Sequence, residues 1–286
     1  MSAVEQYQAR VDAVLEQRTR LRGTPPPGDL FDGLPPDHPL MKSDPRRPLD
    51  PTLAAIASLI EPDDTIVDVG GGAGRFSLPL ALRCRKVVNV EPSGGMLAGF
   101  AANAQAAGIA NIQSVQGDWL TVEPPRGTVA LVNHVAYLTR DIVTFIRKLE
   151  VAASRRVIIS VASPPNPSRN RPVFHVAYEE PSEAVPGYVE LINVLWELGI
   201  EPNITMLPDL PGALPVAPTR EAAIDLAVGQ LRGHQWAFWP LAPALERTAR
   251  ERIAARLDDL FRQTPDGFVP TWTVPASEVL ITWQPC

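Results

Sequence analysis

One short stretch constrains the fold of this chain more than any other. Residues 65–76 begin with an apolar, β-branched run, break into the glycine-rich turn Gly70–Gly74 and continue into a helix-compatible segment. A strand, a tight turn and a helix start in this order form the nucleotide-binding unit of an α/β protein. Glycine suits such a turn because its backbone adopts positive φ values and because a bulky ligand lies against it. We therefore expect a parallel sheet with a ligand site at this turn.

The spacing of the glycines separates two kinds of site. The dinucleotide fingerprint G-x-G-x-x-G does not fit, because Arg75 and Ser77 stand where its third glycine would fall. The turn instead reads D-x-G-x-G-x-G from Asp68, with the acid at the end of the strand. A dinucleotide-dependent oxidoreductase is therefore the less favoured alternative.

Composition restricts the class of protein. The chain has 286 residues, of which 45% are hydrophobic and 20% charged, which suits one large α/β domain with additions or two small domains. A net charge of -6 argues against a general nucleic-acid binder, because neutralising phosphates needs a basic face. No apolar run approaches the roughly 18–20 residues of a membrane span, and residues 1–10 lack the apolar core of a signal peptide. Cys84 and Cys286 form no metal-ligand cluster, so we expect a cytoplasmic protein without a metal and without membrane contact.

Hydrophobic periodicity predicts alternating strands and helices beyond residue 50, which indicates a parallel sheet with right-handed crossovers. We divide the chain into residues 1–48, an N-terminal helix (2–21) with a proline-rich lid loop, and residues 49–286, a ligand-binding domain with insertions at 164–186 and 208–270. The predicted strands are 65–69, 86–90, 111–116, 128–132, 156–161, 204–207 and 278–283. The predicted helices after residue 50 are 50–60, 75–84, 94–107, 141–149, 187–199, 219–232 and 243–263.

Polar residues follow the ends of the first four predicted strands, where a doubly wound sheet binds its ligand. Asp68 and the glycines end the first strand, and Glu91 ends the second. A carboxylate at position 91 can accept both hydroxyls of a ribose. Asp118 follows the third strand and could accept from an adenine amino group, while Asn133 and His134 follow the fourth and could hold the remaining end of the ligand.

Three of these segments together resemble the motifs of the class I S-adenosylmethionine (SAM)-dependent methyltransferases. Val67–Gly74 resembles the first motif, Val88–Leu97 is similar to the second, and Gly117–Trp119 is similar to the third. The resemblance covers about 65–163, and segments near 187–200 are similar to uncharacterised bacterial members. One departure is that Gly127-Thr128-Val129 replaces the acid often found near the start of the fourth strand.

This resemblance implies a doubly wound, seven-stranded, mostly parallel sheet with strand order 3-2-1-4-5-7-6, together with an N-terminal helix and helical insertions. It also implies SAM as the methyl donor and S-adenosyl-L-homocysteine as the product. The predicted cofactor-binding residues are Asp68, Val69, Gly70, Gly71, Gly72, Gly74, Glu91, Pro92, Met96, Gly117, Asp118, Trp119, Asn133 and His134.

Methyl transfer is an in-line displacement, so the main task of such a protein is to align the acceptor and exclude water. A histidine is the usual general base near neutral pH, and His134 with Tyr137 is the best placed candidate for catalysis. Structural hydrogen bonding is the alternative role for His134. We expect Tyr137, His175 and Tyr178 to line the acceptor pocket, although an ordinary loop residue is the alternative for His175.

The insertions suggest a covered pocket, which favours a small-molecule acceptor over a nucleic acid. The acceptor itself, and whether the methyl group goes to oxygen, nitrogen, carbon or sulfur, cannot be read from these residues. A homodimer is compatible with the sequence. A second alternative is a SAM-binding protein without catalytic activity.

Overall fold

A seven-stranded sheet forms the centre of the molecule. The computed structural model describes residues 1–285 except 25–27, 30, 32–33, 36–37, 39, 209–214, 233–240 and 273–275. In spatial order the strands are β3 (Ile112–Gln116), β2 (Lys86–Glu91), β1 (Thr65–Val69), β4 (Gly127–Asn133), β5 (Ala153–Ser163), β9 (Ser277–Trp283) and β6 (Asn203–Met206).

The first five strands are parallel, and β9 is antiparallel to both β5 and β6. Because β9 is the seventh strand of this sheet in chain order, the predicted order 3-2-1-4-5-7-6 is confirmed. A separate hairpin pairs β7 (Phe261–Thr264) with β8 (Gly267–Pro270).

Helices cover both faces of the sheet. They are α1 (Ala3–Arg22), α2 (Pro51–Ala57), α3 (Ser77–Ala81), α4 (Gly94–Ala107), α5 (Ile142–Ala152), α6 (Arg171–Tyr178), α7 (Tyr188–Glu197), α8 (Arg220–Arg232), α9 (Pro243–Ala255) and α10 (Leu257–Leu260), with short 3-10 turns at Ala136–Leu138 and Asn166–Ser168. Among the helices described, none combines the length and the apolarity needed to cross a lipid bilayer.

The alternation of side chains along β1 shows how the two faces are filled. Val67 and Val69 belong to one buried cluster together with residues of α1, α5 and α7. Ile66 belongs to a second cluster with residues of α2, α3 and α4 on the opposite face. Both faces are therefore buried, as expected of a parallel sheet with crossover helices.

The N-terminal helix is part of this body. Ser2 and Glu5 form a capping box at its start, which satisfies backbone N–H groups that the first turn leaves without partners. Its buried side chains are Tyr7, Val11 and Val14, among others, and they face α7 and α5. The Tyr7 hydroxyl donates to the Ala136 carbonyl. The helix predicted over 2–21 is confirmed, and the two-part division of the chain stays a prediction.

Three of the predicted elements need correction. The insertion 164–186, for which no helix was predicted, contains the helix α6. Pro172 lies in its first turn, and its buried Val173 and Val176 face α8 and α9. The helix predicted over 75–84 is only five residues long. The helix predicted over 243–263 breaks at Arg256, and its last residues form β7 instead. Parts of the insertion 208–270 lie outside the described residues.

Candidate functional site

The glycine turn after β1 requires residues without a side chain at several of its positions. Gly70, Gly72 and Gly74 have φ values of 71°, 53° and 88°, which L-residues with a Cβ rarely adopt. A Cβ on Gly70 would lie 2.5 Å from Val135 Cγ2, and a Cβ on Gly71 would lie 2.3 Å from Asp68 Oδ2. The turn is therefore fixed in shape and leaves bare backbone at the carboxyl edge of the sheet.

Asp68 lies directly beneath this turn. Its side chain is 1% exposed, and its Oδ2 accepts no hydrogen bond from any residue that the structure describes. Burial raises the pKa of this carboxyl to about 7, and the nearby charge of Glu91 acts in the same direction. Neighbouring Asn89 supports the turn by donating to the Gly72 carbonyl at 2.9 Å.

Glu91, at the end of β2, is bound to the same turn. The Gly72 N–H donates to Glu91 Oε2 at 3.0 Å, and the Ser93 N–H donates to Oε1 at 3.0 Å. Burial raises the pKa of Glu91, and the charge of Asp29 adds to the effect. Asp29 itself accepts from the Ser93 hydroxyl at 2.7 Å. The loop before α2 thus reaches the end of β2 beside the glycine turn.

A cavity of about 420 Å³ opens at the carboxyl ends of β1 and β2. A larger cavity of about 840 Å³ lies at the opposite edge, beside Thr65 and Gly127 at the amino ends of β1 and β4. We assign the ligand to the smaller cavity, because doubly wound sheets bind ligands at the carboxyl ends of their strands. Five predicted cofactor-binding residues line it: Val69, Gly70, Pro92, Asp118 and Trp119.

Trp119 and Asp118 form one wall of this cavity. Trp119 is buried, its Nε1 donates to the Phe145 carbonyl at 3.2 Å, and the Lys148 amine lies 5.5 Å from its ring centroid. Asp118 Oδ1 accepts the Leu120 N–H at 2.7 Å. The chain after β3 is therefore held rigidly beside the cavity.

Two other predicted residues lie around the turn, outside the cavity lining. Met96 is buried in a small cluster with Ala73 and Met41, against which Phe31 and Leu40 pack. Gly117 donates its N–H to the Glu91 carbonyl at 3.1 Å.

A second polar group lies at the carboxyl ends of β4 and β5. Asn133 donates to the Ser160 hydroxyl at 2.6 Å. His134, whose φ of 57° is unusual for a residue with a side chain, places Nδ1 2.9 Å from the Tyr137 hydroxyl and Nε2 3.2 Å from Glu278 Oε1. The structure therefore brings both predicted catalytic residues together and adds Glu278, which sequence reasoning missed. The single acid in the mostly apolar strand Ser277–Trp283 was the available signal.

The structure places His175 and Tyr178 elsewhere. Both lie on α6, where His175 is exposed and the Tyr178 hydroxyl accepts from Arg22 Nε at 3.0 Å. Neither lines the cavity beside the glycine turn. Within the described parts of the chain, no group of three or more His, Cys, Asp or Glu side chains is placed to hold a metal ion.

Comparison with known sequences gives the class of this site. Residues 66–152 match the family model described as "Methyltransferase domain". An uncharacterized protein of Haemophilus influenzae is 25% identical over 176 residues, which are 60% of this chain and 65% of that protein. A 23S rRNA (uracil(1939)-C(5))-methyltransferase of Stenotrophomonas maltophilia is 41% identical over 68 residues, but these are 23% of this chain and 15% of that protein. The chain thus spans less than two thirds of the length of these relatives.

Solved structures share the fold. The YcgJ protein of Bacillus subtilis superposes with a TM-score of 0.52 at 13% identity, over 81% of this chain and 96% of that one. A putative methyltransferase of Bacillus halodurans superposes with a TM-score of 0.51 at 13% identity, over 81% and 95%.

The match over residues 66–152, the strand order and the glycine turn together identify a methyltransferase domain with the class I fold in this chain. The resemblance seen in the motifs is therefore confirmed, as is SAM as the cofactor of this class.

Proposed function

We propose that this protein transfers the methyl group of SAM to a small-molecule acceptor. The observation that carries the proposal is the cavity beside the glycine turn, lined by Val69 and Pro92, which directly follow the buried residues Asp68 and Glu91 in the chain. A site surrounded by acids suits a cationic donor. When bound, SAM supplies an electrophilic methyl group on a positively charged sulfur.

Each part of the donor has candidate residues. Glu91 would accept the ribose hydroxyls, since a carboxylate offers acceptors only. Asp118 and Trp119 would hold the adenine at the outer wall of the cavity. The turn Gly70–Gly74 would cradle the methionine and ribose portion, because its backbone lies bare there. Asn133 and His134 would border the reacting end.

A small acceptor is supported by the helical cover of the molecule. α6, α8 and α9 share a separate buried cluster of their own, and such additions close a site more readily than they admit a polymer. The overall charge of -6 argues against the neutralisation of many phosphates. The rRNA methyltransferase relatives align over a third of this chain or less, so their acceptor does not carry over.

Equilibrium binding separates this proposal from its alternatives. We expect isothermal titration of the full chain to show binding of S-adenosylhomocysteine and none of NAD(H) or NADP(H), because the turn lacks the dinucleotide glycine spacing. Binding of the dinucleotide alone would overturn the proposal in favour of an oxidoreductase. Donor binding without transfer of a radiolabelled methyl group to any fraction of a small-molecule cell extract would favour a non-catalytic SAM-binding protein.

A further inference from the structure

The larger cavity, at the amino ends of the strands, has no part in the proposed methyl transfer. It measures about 840 Å³ and is lined by the first residues of β1, β4 and β5 and by the end of α5. A second cavity of about 600 Å³ follows the same edge of the sheet beside β2 and β3 and shares the lining residues Thr65, Arg85 and Arg126 with the first. Cavities of roughly 300–1,000 Å³ are of the size that binds small molecules. The three shared residues therefore lie at the centre of a groove along this edge.

The groove carries an excess of positive charge. The lining of the larger cavity includes Arg85, Arg126 and Arg147, and Glu150 is the single acid among the described residues that line it. Arg147 Nη1 lies 2.6 Å from Glu150 Oε2, so these two charges compensate each other. Lys86 adds a further cation in the neighbouring cavity. In a chain with a net charge of -6, this local excess attracts an anion to this edge of the sheet.

Arg85 and Arg126 are held in place by neutral groups. Arg85 Nη2 donates to Thr65 Oγ1 at 2.9 Å, and Arg126 Nη1 donates to the Val151 carbonyl. Neither guanidinium forms an ion pair with an acid in the part of the chain that the structure describes. A neutral acceptor orients a guanidinium without cancelling its charge, and four of its five N–H groups stay available. Both side chains are also exposed, so a ligand can reach them from solvent.

The buried acid next to the groove is balanced by a different arginine. Asp64 precedes Thr65 and is 3% exposed. It is bound by Arg155 and accepts the Thr128 hydroxyl at 2.6 Å. Because its charge is compensated there, Asp64 does not neutralise Arg85.

We propose that the groove centred on Thr65, Arg85 and Arg126 is a second binding site, which takes a small ligand with a diphosphate group. The planar fork of an arginine matches two oxygens of one phosphate, so two arginines that share one lining residue suit two adjacent phosphates. The site lies at the opposite edge of the sheet from the cavity assigned to the donor. It goes beyond the proposed methyl transfer and does not depend on it.

Isothermal titration of the full chain with pyrophosphate, in a buffer free of phosphate and divalent cations, tests the proposal. We expect saturable binding of one pyrophosphate per chain. Arg85→Gln and Arg126→Gln should each weaken it by at least about tenfold, because each removes charge-assisted hydrogen bonds to a phosphate. Arg85→Lys should retain part of the affinity, since it keeps the charge and loses the fork.

Arg83→Gln is the matched control. It removes the same charge from an exposed position two residues before Arg85, and Arg83 is not among the residues that line either cavity. Its affinity for pyrophosphate should equal that of the wild type. Absence of saturable binding by the wild type would overturn the proposal. Equal weakening in Arg83→Gln and Arg85→Gln would also overturn it, because the effect would then be one of overall charge.

ADP in place of pyrophosphate distinguishes two sources of the diphosphate group. Tighter binding of ADP would support a nucleotide whose nucleoside fills the rest of the cavity, whereas equal affinities would support recognition of the diphosphate alone. Saturating S-adenosylhomocysteine should leave the binding of pyrophosphate unchanged. Displacement of pyrophosphate would place it in the donor cavity and overturn the inference. Failure of S-adenosylhomocysteine to bind would contradict the proposed function and leave this site unaffected.

Discussion

Asp68 and Glu91 are held in unlike ways although they lie on neighbouring strands. Glu91 accepts two backbone N–H groups, whereas Asp68 has one oxygen with no such partner among the described residues. Burial raises the pKa of both. The two backbone N–H donors favour the charged form of Glu91, whereas Asp68 holds a proton into the neutral range.

Replacing Glu91 by Ala should weaken the binding of S-adenosylhomocysteine by about 1–3 kcal/mol, the value of charge-assisted hydrogen bonds to two hydroxyls. Isothermal titration measures the change. Glu201→Ala, which alters an exposed glutamate, should bind like the wild type. Equal affinities for the Glu91 variant and the wild type would remove Glu91 from the donor site.

Asp68 should make the folded protein less stable as the pH rises. The folded state keeps a proton up to a pKa of about 7, whereas the unfolded chain releases it near pH 4, so the free energy of unfolding falls between these two values. Asp68→Asn cannot ionise and should lack this fall, which amounts to about 4 kcal/mol. Urea denaturation at pH 4.5 and 7.5 measures it.

The control for this experiment is Asp63→Asn, since Asp63 is exposed in the turn before β1. Its pH dependence should follow that of the wild type. Parallel curves for Asp68→Asn and the wild type would contradict a raised pKa in the folded state.

At the scale of elements, the glycine turn couples β1 to β2. Asn89 and Glu91, both on β2, bind Gly72 through its carbonyl and its N–H respectively. The Gly70 N–H donates to the Val90 carbonyl at 2.8 Å. A shift of the turn therefore displaces the residues that would bind ribose.

Gly71→Ala should disturb both stability and donor binding, because its Cβ would lie 2.3 Å from Asp68 Oδ2 and 2.7 Å from Asn89 Oδ1. We expect a loss of about 1–3 kcal/mol in the free energy of unfolding, as for an overpacked core, together with weaker binding of S-adenosylhomocysteine.

Gly229→Ala is the matched control, since nothing lies within 4 Å of a Cβ there. In the helix α8 it should stabilise by about 0.5–1 kcal/mol. A Gly71 variant as stable as the wild type would show that the turn tolerates a side chain.

Elements with strong local signals could be predicted from the sequence. Helix α4 matches its predicted bounds, because Ser93 caps its start and Gly108 ends it in a left-handed conformation. Strand β1 also matches, since a β-branched run meets glycine there. Helix α6 could not be predicted, because its prolines suggest a loop and its apolar face has meaning only against α8 and α9.

The residues of the candidate site also fall into those that could be predicted from the sequence and those that could not. The candidate residues at the ends of β1, β2 and β3 could be located from the sequence, because they lie at or directly after the predicted strand ends. Glu278 cannot be placed from its neighbours in sequence, because only the pairing of β9 with β5 brings it to His134. Asp29 reaches Ser93 from a proline-rich loop with no periodicity.

On the scale of the whole molecule, the segment before α2 packs over the glycine turn. Phe31, Leu34 and Leu40 contact the cluster of Met41, Ala73 and Met96, and Asp29 binds the start of α4. The segment thus joins the edge of the donor site to a part of the chain distant in sequence.

Asp29→Ala should release this segment and speed the dissociation of S-adenosylhomocysteine severalfold, because exchange of the ligand then requires fewer contacts to break. Stopped-flow fluorescence, with the buried Trp119 at the cavity wall as a reporter, measures the rate. Asp63→Ala serves as the control at an exposed position away from the loop. An unchanged dissociation rate in Asp29→Ala would show that the segment does not gate the site.

The antiparallel insertion of β9 beside β5 has a consequence for how the protein reaches its native state. Strands β1 to β4 and their crossovers are close in sequence, whereas joining β9 to β5 closes a loop of roughly 110 residues. Contacts of such long range form slowly. A chain ordered only as far as β5 therefore holds Asp68, Glu91 and His134 but not Glu278. The donor half of the site can assemble first, and the carboxylate beside His134 is added by the strand that pairs across the longest distance.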